Sequence, residues 1–187
     1  MRISAGEAKG RRLRVPRGGA VRPTQDRVRE AIFNALGDRV VGARVLDLFA
    51  GAGTLGIEAL SRGADCVVFV ERDPRAVGVL RDNLAASGFA DRGEVWRSDA
   101  LRAIRTLAER REAFDVVLCD PPYGAGWAER ALDVLSHSGI VGSGGLVVVE
   151  AGRGESIRTP RGFRRVRERA YGETLVLFFV REDNGRG

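Results

Sequence analysis

The chain has 187 residues, of which 44% are hydrophobic and 30% are charged, and its net charge is +6. This balance is typical of one soluble globular domain, no apolar run approaches the ~20 residues of a membrane span, and the N-terminus lacks the apolar stretch of a secretory signal. Cys66 and Cys119 lie far apart without ligand spacing, so we predict a cytoplasmic protein with no disulfide framework and no metal site.

The first elements precede the main pattern. Short alternating segments over residues 1–5 and 11–15 flank Gly6–Gly10 and predict a β-hairpin. A helix is expected after Pro23 and Thr24, because apolar residues then recur at helical spacing until Gly37 can end it.

From residue 43 onward, apolar strand patterns alternate with helical ones. Strands are predicted over 43–49, 66–71, 94–97, 114–119 and 145–150, with helices over 55–62, 75–87, 100–110 and 127–135. Such alternation is typical of a parallel sheet covered by helices on both faces. The last two strands, 164–170 and 174–180, are separated by only three residues, so they must pair in antiparallel fashion.

These elements predict an α/β fold of the Rossmann-like methyltransferase class. Its seven-stranded sheet is mostly parallel and ends in an antiparallel hairpin. The predicted organisation is an N-terminal β-hairpin extension that binds RNA (1–20), a methyltransferase domain (21–182) and a polar tail (183–187).

A glycine loop follows the first strand of the alternating region. Gly51, Gly53 and Gly56 form G-x-G-x-x-G between a strand and a helix, and Glu71 ends the next strand twenty residues after Gly51. This spacing also fits a dinucleotide-binding fingerprint, so the motif alone permits an NAD-dependent dehydrogenase.

Asp47 argues against NAD, because a carboxylate just before the loop would repel a pyrophosphate. It would instead attract the ammonium group of a methionine moiety, while Glu71 fits the hydroxyls of a ribose. Little chain also remains to build a domain that presents a hydride acceptor. We therefore predict S-adenosylmethionine as cofactor, with adenine held by Asp99 and the backbone of Ala100. The full predicted cofactor set is Asp47, Phe49, Ala50, Gly51, Gly53, Glu71, Arg72, Asp99 and Ala100. Asp47 could alternatively be a loop cap, and Asp99 could cap a helix while also contacting adenine.

The catalytic candidates are Asp120, Pro121, Pro122 and Tyr123, which follow a buried strand. An exocyclic amino nitrogen is a poor nucleophile, because its lone pair is delocalised into the base. The Asp120 carboxylate and the Pro121 carbonyl can accept its two N–H groups, and such acceptors strengthen as positive charge builds on nitrogen. The prolines stiffen the loop, and Tyr123 can stack on a base taken out of its helix or from a loop. No G-x-S-x-G elbow supports a hydrolase.

Charge is concentrated in two zones. Residues 1–29 carry nine basic and two acidic side chains, and residues 153–169 carry seven basic and two acidic ones, whereas residues 30–152 carry thirteen basic and eighteen acidic ones. Two basic zones around a catalytic centre predict a nucleic-acid partner, although either zone alone could serve solubility. The predicted RNA-binding residues are Arg11, Arg12, Arg14, Arg17, Arg22 and Arg27.

Three segments together resemble a known family: Asp47–Gly53, Asp120–Tyr123 and the N-terminal R-P-T and R-V-R-E motifs over 22–30. They are similar to the bacterial 16S ribosomal RNA guanine-N2 methyltransferases, over nearly the whole chain. The resemblance implies guanine N2 as acceptor, at the guanine conventionally numbered 966, and 16S ribosomal RNA as partner, free or within the small subunit, for a monomeric enzyme. The residues themselves leave open an adenine-N6 methyltransferase acting on DNA or RNA, and a non-catalytic RNA-binding assembly factor.

Overall fold

The computed structural model describes residues 1–15 and 23–182, so Arg17, Arg22 and the predicted tail lie outside the described residues. The helices are α1 (Pro23–Leu36), α2 (Thr54–Ser61), α3 (Pro74–Ser87), α4 (Ala100–Glu109) and α5 (Trp127–Ser138). The strands are β1 (Arg44–Leu48), β2 (Cys66–Glu71), β3 (Gly93–Arg97), β4 (Phe114–Cys119), β5 (Val141–Gly152), β6 (Phe163–Tyr171) and β7 (Thr174–Arg181).

The seven strands form one sheet in the order β3-β2-β1-β4-β5-β7-β6. The first five strands pair in parallel, while β7 pairs antiparallel with both β5 and β6. The predicted Rossmann-like fold is therefore confirmed. From β1 to β3 successive strands are added toward one edge of the sheet, and from β4 onward they are added toward the other edge. The crevice at the carboxyl ends of β1 and β4, where this order switches, is where such folds bind ligands.

Strand alternation divides the core into two layers. Val45, Phe69 and Leu118 point toward the side packed by α1, α2 and α3. Leu46 and Val117 point toward the side packed by α4 and α5. A sheet covered on both faces explains why the central strands are almost continuously apolar.

The N-terminal segment packs on this core. Its hairpin is reduced to an antiparallel bridge between Arg2 and Arg12, and Ile3, Ala8 and Leu13 are each buried to 5% exposure or less. A Cβ on Gly6, whose φ is +80°, would lie 1.6 Å from the carbonyl oxygen of Ser61. The backbone therefore approaches the end of α2 as closely as only glycine allows.

A buried carboxylate on α2 holds the same segment. Glu58 accepts hydrogen bonds from the backbone N–H of Ser4 at 2.9 Å, from the Ser4 hydroxyl at 2.6 Å and from the Ala5 N–H at 3.1 Å. It also pairs with Arg29 at 3.3 Å and Arg62 at 2.8 Å. Burial by itself would raise the pKa of Glu58, but the hydrogen bonds from Ser4 and the neighbouring arginines leave it lowered. Arg29 is therefore a buried residue that stabilises the fold, although it belongs to the basic N-terminal zone of the sequence.

Candidate active site

A cleft opens at the carboxyl ends of the central strands. It brings together residues from four separate stretches of chain, and its walls combine aromatic rings with carboxylates. The lining residues include Phe49, Glu71, Arg72, Asp99, Ala100, Asp120, Pro122 and Trp127. Seven of these eight, all but Trp127, were predicted as cofactor-binding residues or catalytic residues from the sequence, and the topology places them around one space.

The glycine loop turns sharply between β1 and α2. Phe49 has a φ of 61°, in the left-handed region that non-glycine residues rarely adopt. Its ring meets the Trp127 ring edge-on with centroids 6.2 Å apart. The Ala50 N–H donates to the Val70 carbonyl at 2.9 Å, which fixes the loop against β2. The strained backbone therefore presents an aromatic wall to the cleft, and such outliers cluster at ligand sites.

Glu71 links the loop to the end of β2. One carboxylate oxygen accepts the Gly51 N–H at 2.8 Å, and the other accepts the Asp73 N–H at 2.8 Å. The side chain is half-buried and lines the cleft. Each carboxylate oxygen has a further lone pair, so both can still accept hydrogen bonds from a ligand.

Asp47 lies beneath the loop and is 1% exposed. Its Oδ2 accepts the Gly56 N–H at 2.9 Å in the first turn of α2. Burial raises the pKa of Asp47 to about 8, against the lowering effect of that hydrogen bond, so the group is mostly uncharged at neutral pH. A neighbouring cation would favour its charged form. The role of Asp47 toward an ammonium group stays a prediction.

Asp99 caps α4. Its Oδ1 accepts the N–H groups of Leu101 at 3.0 Å and Arg102 at 3.1 Å. The capping alternative therefore describes this residue, and its position in the cleft wall beside the buried Ala100 leaves the adenine role compatible with it. Asp99 and Glu71 line the same cleft, as a nucleoside would require.

Asp120 stands where β4 enters the cleft. Its side chain reaches solvent through the cleft mouth, while protein surrounds it on the other sides. This restricted hydration raises its pKa to about 6. The next residue, Pro121, is buried, and Pro122 lines the cleft, so the loop direction is fixed immediately after the carboxylate.

Tyr123 is anchored at its hydroxyl. The phenol oxygen lies 3.0 Å from Oγ1 of Thr174 at the start of β7, and the side chain is 46% exposed. Glu155 supports the same loop, because its Oε1 accepts the N–H of Gly124 at 3.2 Å and of Gly152 at 2.9 Å. Burial raises the pKa of the tyrosine to about 12, so the phenol stays neutral. An exposed ring held at its far end is suited to stacking on a base.

Sequence reasoning missed two members of the site. Trp127, the first residue of α5, reads as an ordinary helix residue until the fold places it opposite Phe49. Glu150 follows a run of valines in β5 and is 8% exposed. The β4–β5 register, which pairs Cys119 with Val149, places Glu150 beside Asp120. Burial and that neighbouring carboxylate raise the pKa of Glu150 well above its usual range. Only the position of an acid in a buried strand could have signalled it.

The predicted RNA-binding arginines lie on the surface where they are described. Arg11, Arg12, Arg14 and Arg27 are all exposed. Arg14 lies 3.6 Å from Asp82, a loose pair in which both side chains stay solvated. The N-terminal segment thus buries its apolar residues and directs its arginines outward.

Comparison with known proteins decides the family. The family model described as "Conserved hypothetical protein 95" matches residues 1–180. The chain is 36% identical over 186 residues to ribosomal RNA small subunit methyltransferase D of Escherichia coli K12, covering 99% of this chain and 92% of that protein. The chain belongs to the ribosomal RNA small subunit methyltransferase D family. The resemblance inferred from the sequence is confirmed.

One further relative and one solved structure are similar to this chain over nearly its whole length. The Bacillus subtilis protein YlbH is 37% identical over 180 residues, which cover 96% of this chain and 98% of YlbH. The solved structure of Escherichia coli yhhF superposes with a TM-score of 0.84 at 34% identity, covering 97% of this chain and 98% of that one. These relatives extend over nearly the full chain, the N-terminal segment included.

Over residues 1–15 and 23–182, no helix is long and apolar enough to cross a membrane. Within the same residues, no group of three or more histidine, cysteine or acidic side chains is arranged to hold a metal ion.

Proposed function

We propose that this protein transfers a methyl group from S-adenosylmethionine to the exocyclic N2 of a guanine in 16S ribosomal RNA, at the position conventionally numbered 966. The observation that carries the proposal is a shared cleft. Asp120 and Pro122 of the catalytic loop line the same space as Glu71 and Phe49 of the cofactor loop. A donor and an acceptor of a methyl group would therefore meet there.

The residues of the cleft fit an adenosine with a cationic tail. Phe49, Val70, Ala100 and Trp127 supply apolar walls for a flat ring, and Glu71 supplies carboxylate oxygens for ribose hydroxyls. The loop fits a phosphate group poorly. Its Gly51 N–H is already bonded to Glu71, and the Gly56 N–H is already bonded to Asp47. This arrangement favours S-adenosylmethionine over a dinucleotide, whose pyrophosphate needs such N–H groups.

The bound cofactor would supply an electrophilic methyl group carried on a sulfonium sulfur. Breaking of that S–C bond would leave S-adenosylhomocysteine as the product. On the other side of the cleft, the Asp120 carboxylate accepts one N–H of the target amino group and the Pro121 carbonyl accepts the other. Both acceptors oppose the positive charge that develops on nitrogen as the new N–C bond forms, so they stabilise the transition state more than the ground state. The surplus proton then passes to the Asp120 carboxylate and on to solvent at the cleft mouth.

Protonation of Asp120 controls this step. The carboxylate form is the acceptor, and its raised pKa of about 6 makes it a better proton acceptor than an ordinary aspartate while it remains mostly ionised at neutral pH. Glu150 beside it has a raised pKa as well, so the two groups titrate as a pair. A single negative charge shared by neighbouring acids is less costly than two.

The choice of guanine N2 rests on the family. The Escherichia coli relative is named a ribosomal RNA small subunit methyltransferase, and the D-P-P-Y loop itself serves guanine N2 and adenine N6 equally well. The names of these relatives support ribosomal RNA of the small subunit as the substrate, while guanine N2 is what the resemblance in the sequence motifs implies. We propose that the enzyme is monomeric and cytoplasmic.

Nucleoside analysis tests the proposal. Unmodified small ribosomal subunits and free 16S ribosomal RNA are incubated with the protein and S-adenosylmethionine labelled in its methyl group, and the RNA is digested to nucleosides. We expect labelled N2-methylguanosine with the parent and none with Asp120→Ala. Labelled N6-methyladenosine would reassign the base. No labelled nucleoside, together with retained RNA binding, would favour the assembly-factor alternative.

A further inference from the structure

A second surface, distinct from the basic zones of the sequence, carries a row of arginines. A groove runs between β3 and α4, at the edge of the sheet away from β6. It is contiguous with the active cleft, because Arg72, Ser98 and Asp99 line both. The groove is also lined by Trp96, Arg97, Arg102, Thr106 and Arg110.

The helix spacing creates the row. Arg102 and Thr106 of α4 and Arg110, the C-cap of that helix, follow one another at intervals of four residues, so they lie along one stripe. Arg97 ends the edge strand β3 on the opposite side of the groove. This cluster is not evident from the sequence, because the four arginines are scattered through residues 30–152, a stretch with more acidic than basic side chains.

The charge of this row is not neutralised locally. Among the ion pairs of the described residues, none involves Arg72, Arg97, Arg102 or Arg110. The one acidic side chain among the groove's described lining residues is Asp99, whose Oδ1 caps α4. By contrast, Arg44, Arg62 and Arg92 elsewhere on the surface each pair with a glutamate.

Trp96 orients part of the row. The guanidinium of Arg110 lies 4.8 Å from the centroid of the Trp96 ring, and the indole N–H donates to Glu94 at 2.6 Å. A guanidinium stacked on an aromatic face keeps its N–H groups in its own plane, pointing outward, which suits bidentate contact with phosphate.

We propose that this arginine groove binds the phosphate backbone of the RNA substrate on the cofactor side of the active cleft. The inference rests on the proposed function for the identity of the polyanion. A strand whose target base enters the cleft continues past its mouth, and the groove offers unpaired cations directly beside it. Phosphate contacts of this kind supply affinity and position without reading sequence.

The test compares two pairs of substitutions with the same charge change. Arg102→Gln/Arg110→Gln removes two groove charges and leaves a shorter, neutral and polar side chain at each position. Arg81→Gln/Arg105→Gln is the control, since both residues are exposed, make no ion pair among the described residues and do not line the groove. The full-length variants bind a labelled single-stranded RNA of about 20 nucleotides in filter assays over a series of salt concentrations.

The groove variant should bind more weakly than the parent at low salt. Its plot of log affinity against log salt should be shallower by about 1.4, because each lost phosphate contact on a single strand contributes roughly 0.7. The control should retain the parent's slope. Equal losses in both variants, or no loss in the groove variant, would overturn the proposal, as would a parent that does not bind RNA.

Methyl transfer to small subunits is measured with the same samples, so that the two proposals fail separately. A parent that methylates guanine while the groove variant keeps its salt slope disproves the groove alone. A parent that binds RNA through the groove but yields no N2-methylguanosine disproves the proposed reaction alone. S-adenosylmethionine binding should be the same in all three proteins, which confirms that the cleft is intact.

Discussion

Removing the buried charge of Glu58 should destabilise the whole domain. The Glu58 side chain is 1% exposed and that of Arg29 is 4% exposed, so Glu58→Ala leaves a buried cation with only Asp26 as a charged partner at 2.9 Å. Breaking a buried pair from one side costs about 3–5 kcal/mol. Glu58→Gln keeps one acceptor oxygen and should cost about 1.5–3 kcal/mol, the range for a hydrogen bond to a charged group.

Urea denaturation and thermal denaturation, both followed by circular dichroism, measure the two variants. At about 2–4 °C per kcal/mol for a domain of this size, the alanine variant should melt roughly 6–20 °C below the parent. Glu129→Gln is the control, because Glu129 forms a solvated pair with Arg158 at 3.7 Å and such pairs contribute little. A Glu58→Gln variant as stable as this control would refute the reasoning.

The pH dependence gives an independent check. The pKa of Glu58 is lowered in the folded protein, so its stabilising contribution is complete above the unfolded value of about 4.3. That contribution is lost as the pH falls through the lower, folded pKa. The stability gap between the parent and Glu58→Gln should therefore be constant at neutral pH and shrink below about pH 4. A gap that widened toward acid would contradict the ion-pair interpretation.

Four further predictions concern function. Glu71→Ala should weaken S-adenosylmethionine binding by about 1.5–3 kcal/mol in titration calorimetry, and an unchanged affinity would exclude Glu71 from the site. Single-turnover methylation by the parent should rise with pH through about 6 and then level off, since the Asp120 carboxylate is the active form. Asp120→Asn should keep a small, pH-independent rate, and an active Asp120→Ala would end the mechanism. Tyr123→Ala should lose about 1–3 kcal/mol of base stacking, whereas Tyr123→Phe loses only the Thr174 contact; equal losses would make the hydroxyl decisive. Replacing the exposed N-terminal residues Arg11, Arg12 and Arg14 with alanine should lower the salt slope of RNA binding by roughly one unit per lost contact. An unaltered slope would show that these arginines make no RNA contact.

Point substitutions test the N-terminal segment better than its deletion does. Without residues 1–15, the sites that bury Ile3 and Leu13 would be exposed and Glu58 would lose the hydrogen bonds from Ser4 and Ala5. A truncated protein would therefore lose stability whether or not the segment touches RNA. The arginines point outward and can be changed without disturbing this packing.

The sequence was sufficient for the order of the elements, because strand and helix periodicities alternate cleanly from residue 43 onward. It was less informative where packing rather than pattern sets the boundaries. β5 extends over Val141–Gly152 rather than 145–150, since its glycine-rich start lacks an apolar pattern, and its register with β4 shifts between Phe114 and Val116. The N-terminal hairpin was predicted from short alternation alone, which carries no information about Glu58 fifty residues away.

In the site, too, residues in local motifs could be predicted from the sequence, whereas residues placed by the packing of distant elements could not. The glycine loop and the D-P-P-Y loop are local motifs, so their residues could be located by number in the sequence. Glu150 and Trp127 become part of the site through strand register and helix placement, which no local pattern specifies. Arg29 is the converse case, because a basic residue in a basic zone proves to be buried against Glu58.

Two backbone amides of the glycine loop are already bonded to acidic side chains of the protein itself, which affects competition with other ligands inside a cell. ATP, NAD and free phosphate are abundant there, and the amide-lined turns of related folds attract them. In this protein Glu71 and Asp47 already bond to the amides of Gly51 and Gly56, so a phosphate would have to displace a tethered side chain to reach either amide. We therefore expect the loop to discriminate against common nucleotides without any dedicated gate, even if the surrounding arginines attract polyanions to the surface as proposed.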